Sequence, residues 1–413
     1  MTKILTFDCE STTYEQGNPF SAPNRLMCVG TLFDGVYEHH DIEYSGLPYN
    51  RSLERLLQLF KQAQTIIGFN LKYDLHWIRR YIPDIKFGNF YCCQLVEFIL
   101  SNQRLPYPAL DHVASEYGLG NKLDVVRTEY WDRGIDTPDV PEAILNEYLE
   151  QDVRLTYGVY LKQQEVIKEL PKNRRSLIQL HNRDLGTLQE AEFNGMYFDK
   201  NEAENFAKTT GEKLNDTILK LSGLDPSYSI VNWNSGDHLS AVLYGGGINH
   251  SCMVESKRVL KSGEVKTTLV KGFRTVIFPR LVKPLPRTET LPTSKMEEHE
   301  ILRANVERLK ARKPLVFRTF ETNQPVLRTL APKSHLGRDV IKLLLQYADL
   351  EALLTKGYVG IPKLQNKMQW EPNTIHGQFN QVVAVTGRLS SSKPNLQNFA
   401  GSLKPLFYSR FPV

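Results

Sequence analysis

The side chains best suited to chemistry in this sequence are carboxylates spaced so as to share faces. Asp8 and Glu10 end the apolar run Ile4-Leu5-Thr6-Phe7. On a strand, side chains alternate at a rise of about 3.3 Å per residue, so these two point the same way and can share one cation. Oxygen clusters of this kind suit hard divalent ions such as Mg²⁺ and Mn²⁺. Ile66-Ile67-Gly68-Phe69-Asn70 reads as a strand that breaks into Leu71–Ile78, where apolar residues recur at helical spacing, and Asn70 and Asp74 are expected on one helical face. Tyr148 and Asp152 stand four apart in a helix predicted over Ile144–Thr156, about 6 Å along its axis and on one side. A single Asp-x-Glu at a strand end is ordinarily a solvated terminus, and it is the coincidence of three such pairs that points to a metal-dependent reaction.

The elements that must hold these groups read as alternating strands and helices. Leu26–Phe33 and Val36–His40 flank Asp34-Gly35, a tight-hairpin signal, so the first three strands should form a meander. Leu53, Leu56, Leu57 and Phe60 make a helical stripe before a buried strand at Thr65–Phe69, and Leu110–Leu119 reads as a helix closed by glycine. The sum is an α/β domain over residues 1–170, a sheet covered by helices. His76 and His112 read as ordinary packing or surface histidines. Beyond Pro171 the alternation stops. Ser176–Phe193 predicts a helix, Gly195 a break, and Asp199 the cap of a further helix to about Leu221; Asn232–Gly247 predicts another capped helix. From Cys252 to Lys333 periodicity is weak, with one helix expected at Met296–Lys310.

The 413 residues, 41% of them hydrophobic and 23% charged, suffice for two or three cores. No apolar stretch approaches the roughly 18 residues that span a membrane, and the start lacks a secretory pattern. Cys9, Cys28, Cys92, Cys93 and Cys252 show no zinc spacing and read as reduced thiols of a cytoplasmic protein. The net charge of +5 is uneven. Val254–Lys333 holds nine Lys and nine Arg against eight Glu and no Asp, so it carries +10 and the remainder −5. A segment so basic is either a phosphate-contacting element or an exposed, solubilising insertion.

Taken in order, Asp8-x-Glu10, Asn70-x-x-x-Asp74 and Tyr148-x-x-x-Asp152 resemble the three motifs of 3′–5′ exonucleases with four acidic residues, in the subclass that uses tyrosine. That resemblance implies a ribonuclease H-like domain and a two-metal hydrolysis with Mg²⁺ or Mn²⁺. Asp8, Glu10 and Asp152 would hold one ion with the attacking water, Asp8 and Asp74 the second, and Tyr148 would orient the water. Glu192-x-x-Gly195 with Asp199, and the Asn-Ser element before the Leu239 helix, resemble the thumb of family A DNA polymerases. Thr386-Gly387-Arg388-Leu389-Ser390-Ser391-Ser392-Lys393-Pro394-Asn395-Leu396-Gln397-Asn398 is similar, almost letter for letter, to that family's signature. It implies that Arg388 reaches the minor groove at a primer terminus while Asn395, Gln397 and Asn398 contact the template-primer; Asn70 would touch DNA in the exonuclease cleft, and Lys356 resembles a thumb lysine.

The resemblance runs from Asp8 to Arg410 and implies four segments. These are an exonuclease domain at 1–170, a first thumb part at 171–251, a basic insertion at 252–333 of the kind bacteriophage members carry, and thumb end with the start of the palm at 334–413. The implied partners are a single-stranded DNA 3′ end, primer-template DNA and a processivity factor at 252–333. Neither palm motif of the family, Asp-x-Ser-x-x-Glu or His-Asp-Glu, occurs in the sequence. Nucleotide addition is therefore expected to need residues from a longer product or a second chain, and apolar surface is expected around Leu406, Phe407 and Phe411. The competing readings are a free-standing nuclease of the ribonuclease D kind and a non-catalytic DNA-holding subunit.

Overall fold

The computed structural model describes residues 3–259, 263–283, 298–311 and 313–411, which pack as two compact units, one of residues 1–202 with 360–413 and one of residues 203–359. The first unit is built on β1 (Ile4–Ser11), β2 (Leu26–Phe33), β3 (Val36–Asp41), α1 (Asn50–Gln62), β4 (Thr65–Gly68), α2 (Leu71–Tyr81) and β5 (Asn89–Cys92). Its sheet has the order β3-β2-β1-β4-β5. The meander β1-β2-β3 is antiparallel and turns at Asp34 and Gly35, whose φ of 50° and 82° the Asp-Gly pair tolerates. β4 and β5 run parallel to β1, which the intervening helix α2 requires.

Helices α3 (Cys93–Leu100), α4 (Leu110–Glu116), α5 (Val125–Glu129), α6 (Glu142–Lys168) and α7 (Lys172–Asn194) cover this sheet. The seating of α6 depends on one glycine. A Cβ on Gly30 of β2 would meet Leu149 Cγ at 2.8 Å and Val153 Cγ2 at 3.1 Å, so only a bare backbone lets α6 lie this close to the strands. Ile178 and Leu185 of α7 belong to the same core as Leu75, Phe98 and Val159, so the stretch after Pro171 packs on the sheet. Cys92 ends β5 and Cys93 opens α3; both are buried free thiols.

A short strand β6 (Met196–Phe198) leads to α8 (Lys200–Gly223), capped as expected by Asp199, whose Oδ1 accepts from the Glu202 N–H at 2.9 Å. The second unit continues with α9 (Gly236–Tyr244), β7 (Gly246–Val259), β8 (Val265–Phe278), α10 (Glu298–Lys310), α11 (Gln324–Thr329) and α12 (His335–Ala352). Its core joins Leu221, Tyr228, Leu243, Phe278, Leu327 and Leu344. Two expectations change here. The weakly periodic stretch contains a long antiparallel ribbon, Gly246 pairing with Phe278 out to Val259 with Val265. Most of both faces is exposed, so burial imposes no clean alternation on its sequence. Nor is 252–333 a mere surface insertion, because Phe278, Val282, Val326 and Leu327 are buried in the core of this unit.

The last elements, α13 (Gly360–Met368), β9 (Thr374–Ile375), β10 (Gln378–Asn380), β11 (Ser390–Ser392) and β12 (Phe407–Tyr408), return to the first unit. They form a three-stranded sheet β12-β6-β9 and the pair β10-β11. Leu406 is fully buried, and Phe407 lies 5.1 Å from Phe198 and 4.9 Å from Phe399, ring to ring. The expected uncovered surface is therefore absent at Leu406 and reduced at the half-buried Phe407, whereas Phe411 is exposed as expected, and Tyr408 with it. Among the described residues, no helix is long and apolar enough to cross a membrane.

Candidate active site

The strand β1 and the helix α6 bring the first and third motifs together. Asp8 pairs with Gly30 across the ladder and Glu10 with Cys28, on the side that α6 covers. Carboxylate oxygens of Asp8, Glu10 and Asp152 all lie within 4.8 Å of one another, the spacing that a shared cation needs. Tyr148, one turn before Asp152, is buried and meets the Trp131 ring edge-on at 5.9 Å. The second motif contributes Asp74, buried on α2, whose backbone oxygen lies 3.9 Å from the Cys9 sulfur. Asn70 does not share a helical face with it. It is the N-cap of α2 in a left-handed conformation, φ 62°, and it is exposed. The helix begins at Leu71, where the apolar spacing puts it, and an asparagine tolerates the αL geometry that turns the chain into it.

Burial dominates the electrostatics, and crowding of negative charge adds to it at Glu10 and Asp74. Burial pushes Asp8 up to about 6 and Asp152 up to about 7, against the pull of Lys122. Glu10 and Asp74 are pushed well above the carboxylate range, first by burial and then by the charges of their carboxylate neighbours. Burial, with Glu10 and Asp152 nearby, also raises Tyr148, which stays a neutral phenol. Lys122 is the group that sequence reasoning missed. Its ammonium pairs with Asp152 Oδ2 and stands 4.6 Å from the centre of the Tyr148 ring. It lies in an irregular stretch between α4 and α5, where no periodicity or spacing marks it out.

The donor set fits a divalent metal. Asp8, Glu10 and Asp152 are hard oxygen donors, the group within 4.8 Å does not include Asp74, and Asp152 Oδ1 is buried with no hydrogen-bond partner, an orphan that a cation would satisfy. A single lysine leaves the cluster short of positive charge.

The residues expected to touch DNA, Lys356 excepted, sit elsewhere in the first unit. Arg388, Asn395, Gln397 and Asn398 are all exposed, and Asn395 Oδ1 accepts from the Gln397 N–H at 3.1 Å, fixing the turn that presents them. Ser391 Oγ accepts from the Leu396 N–H at 3.1 Å and ties that turn to β11. Asn70 lines a cleft of about 580 Å³ with Tyr73, Tyr107, Asn380, Ser392 and Lys393. Lys356, in the second unit, is exposed on a π-helical turn at Leu353–Tyr358.

A second buried cluster was also not anticipated. Glu192 of α7 accepts from Lys72 Nζ at 2.5 Å, from His76 Nε2 at 2.8 Å and from the Phe379 N–H at 2.5 Å. Burial works against its charge, but the His76 hydrogen bond and Lys72 outweigh it and hold Glu192 below its usual range.

The fold of the chain is similar to about half of a solved polymerase domain. It is similar to the solved POL domain of Pol1 from M. smegmatis in complex with DNA primer-template and dNTP, with a TM-score of 0.58 and 15% identity over 96% of this chain and 52% of that one. Residues 287–404 match the sequence model described as DNA polymerase family A. That match takes in Lys356, Arg388, Asn395, Gln397 and Asn398 and leaves out the acidic set. Among curated proteins, the chain is 21% identical over 401 residues to DNA polymerase I of Aquifex aeolicus (strain VF5), covering 93% of this chain and 53% of that one. It is 35% identical over 88 residues to DNA polymerase I of Bacillus subtilis (strain 168), 21% of this chain and 9% of that one. The chain thus spans about half the length of the Aquifex protein and a small part of the Bacillus one.

Proposed function

We propose that this chain is the DNA-holding and proofreading part of a family A DNA polymerase of bacteriophage type, with a metal-dependent 3′–5′ exonuclease site at Asp8, Glu10, Asp74, Tyr148 and Asp152. The observation that carries the reading is the convergence of Asp8, Glu10 and Asp152 within 4.8 Å, with the buried orphan oxygen of Asp152. The five-stranded order with β1 central supports a ribonuclease H-like domain around them. The polymerase match at 287–404 makes a free-standing nuclease of the ribonuclease D kind the weaker reading.

Asp8, Glu10, Asp74 and Asp152 would hold Mg²⁺ or Mn²⁺. When bound, two such ions would supply a nucleophilic water and stabilise the charge that develops on the leaving oxygen. Tyr148, kept protonated by its burial, would orient that water through its hydroxyl rather than remove a proton at neutral pH. Trp131 fixes the phenol ring edge-on, and the apolar side chains Leu149 and Val153 keep α6 seated against β2. The exposed Arg388, Asn395, Gln397 and Asn398 would contact primer-template DNA through groove edges and sugars, where acceptors recur at every base pair. A processivity partner at 252–333 completes the proposal.

The test is digestion of a 5′-labelled single-stranded DNA by the purified chain with Mn²⁺. Stepwise shortening from the 3′ end is expected, and Asp8→Ala should abolish it. Equal digestion by Asp8→Ala would show the assignment to be wrong.

A further inference from the structure

The proposed exonuclease site already contains a cation of its own. Lys122 projects from the stretch between α4 and α5 onto Asp152 Oδ2, on the same carboxylate as the orphan Oδ1 that would face a metal. Its side chain is 21% exposed and that of Asp152 3%, so the pair is largely withdrawn from water. The lysine is held there. The Leu123 N–H donates to Gln151 Oε1 at 2.5 Å, and Gln151 Nε2 donates to the Asn121 carbonyl at 3.2 Å. The stretch is thus clipped on both sides of Lys122 to the residue that precedes Asp152 on α6. The ring of Tyr148, 4.6 Å from the ammonium, closes the other side.

Resting on the metal-site reading above, we propose that Lys122 is a resident counter-ion that competes with divalent metal for Asp152 and sets the concentration at which the site loads. Without metal, the ammonium offsets part of the charge gathered by Asp8, Glu10 and Asp152. With metal, an ion drawn to the same carboxylate through Oδ1 meets a fixed positive charge a few ångströms away, and either the ammonium or the ion must yield. Asp152 is the contested group, because its second oxygen has no partner while its first is taken by Lys122. Lys122 is a positioning residue in this account, acting on metal occupancy through Asp152.

Mn²⁺ titration of the full chain in the absence of DNA, followed by calorimetry and by electron paramagnetic resonance of free Mn²⁺, tests this. Lys122→Met should bind Mn²⁺ at least about tenfold more tightly than the parent, since removing a unit positive charge from beside a dication is worth at least the ~1.4 kcal/mol of one decade. Lys122→Arg, which keeps the charge, should stay within about threefold of the parent. Lys122→Gln serves in place of Lys122→Met should the latter fail to fold. Unchanged or weaker binding in the neutral variants overturns the counter-ion role while leaving the metal site standing. Tighter binding in Lys122→Arg as well overturns it in favour of a packing effect. A parent chain that binds no Mn²⁺ overturns both this inference and the exonuclease reading.

Discussion

Tyr148 and the acidic groups around it make predictions that belong to single residues. Because Tyr148 is a buried neutral phenol, Tyr148→Phe should leave Mn²⁺ affinity unchanged and slow cleavage by about ten- to a hundredfold, which single-turnover kinetics would resolve. A large loss of metal affinity instead would mean that the hydroxyl holds the ion. Asp8 and Asp152 lie at about 6 and 7, above their value in the unfolded chain. In that window the metal-free fold binds more protons than the unfolded chain, so these groups lower its stability as pH rises from about 4 through 7. Mn²⁺ binds the ionised forms and must displace those protons. The rise in melting temperature on adding saturating Mn²⁺ should therefore grow from pH 5.5 to pH 7.5. A shift that is flat or shrinks with pH would place the metal elsewhere. His40 and His376, both lowered to about 4 by burial, act in the opposite sense on absolute stability, which is why the Mn²⁺ difference is the quantity to measure.

At the scale of elements, the site depends on how closely α6 approaches β2 and on how α2 is anchored. Gly30→Val places side-chain atoms where Leu149 and Val153 already are. It should cost about 1–3 kcal/mol in urea unfolding, as overpacking does, and weaken Mn²⁺ binding by displacing Asp152 from Asp8 and Glu10. Normal Mn²⁺ affinity in a destabilised Gly30→Val chain would show that α6 can shift without opening the cluster. The helix that carries Asp74 is tied to α7 and β10 through Glu192. Glu192→Gln leaves Lys72 without its carboxylate partner, and since Lys72 keeps some exposure to water the cost should be about 2 kcal/mol, below that of a fully buried broken pair. Urea unfolding of the two chains side by side measures it, and an unchanged midpoint would make the cluster energetically idle.

For the molecule as a whole, charge and shape separate. The +10 of Val254–Lys333 is presented in part by the β7–β8 ribbon, where Lys257, Lys266, Lys271 and Arg274 are exposed. Because the base of the ribbon carries Phe278 into a core, deleting the segment would damage the second unit and answer nothing about DNA. Changing those four residues to Gln keeps the fold and removes the charge. For every phosphate that one of these cations neutralises, its replacement should lower the slope of log affinity for primer-template DNA against log salt by about 0.9. A slope that does not move would mark the ribbon as an element that does not touch DNA.

What the sequence determined by itself was local or periodic. Period-two strands around Asp-Gly, the helical spacing of Tyr148 and Asp152, and the cap at Asp199 are written in neighbouring residues, so the elements and their faces could be read directly. The acidic motifs were legible for the same reason, since each pair lies within five residues. The tertiary structure alone decided what comes from afar. It placed Lys122 on Asp152 across 30 residues, and it made Glu192 the partner of Lys72 and His76 more than 100 residues away. Leu406 became buried beside β6, some 200 residues earlier in the chain. Asn70 left its expected face because a backbone turn, not a side-chain period, begins α2. The β7–β8 ribbon went unread because a hairpin exposed on both faces has no buried side to select its residues. Spacing fixes which groups can share a face, and packing fixes which faces meet; the chemistry proposed here needs both, because its charges are brought together only where α6 crosses β1.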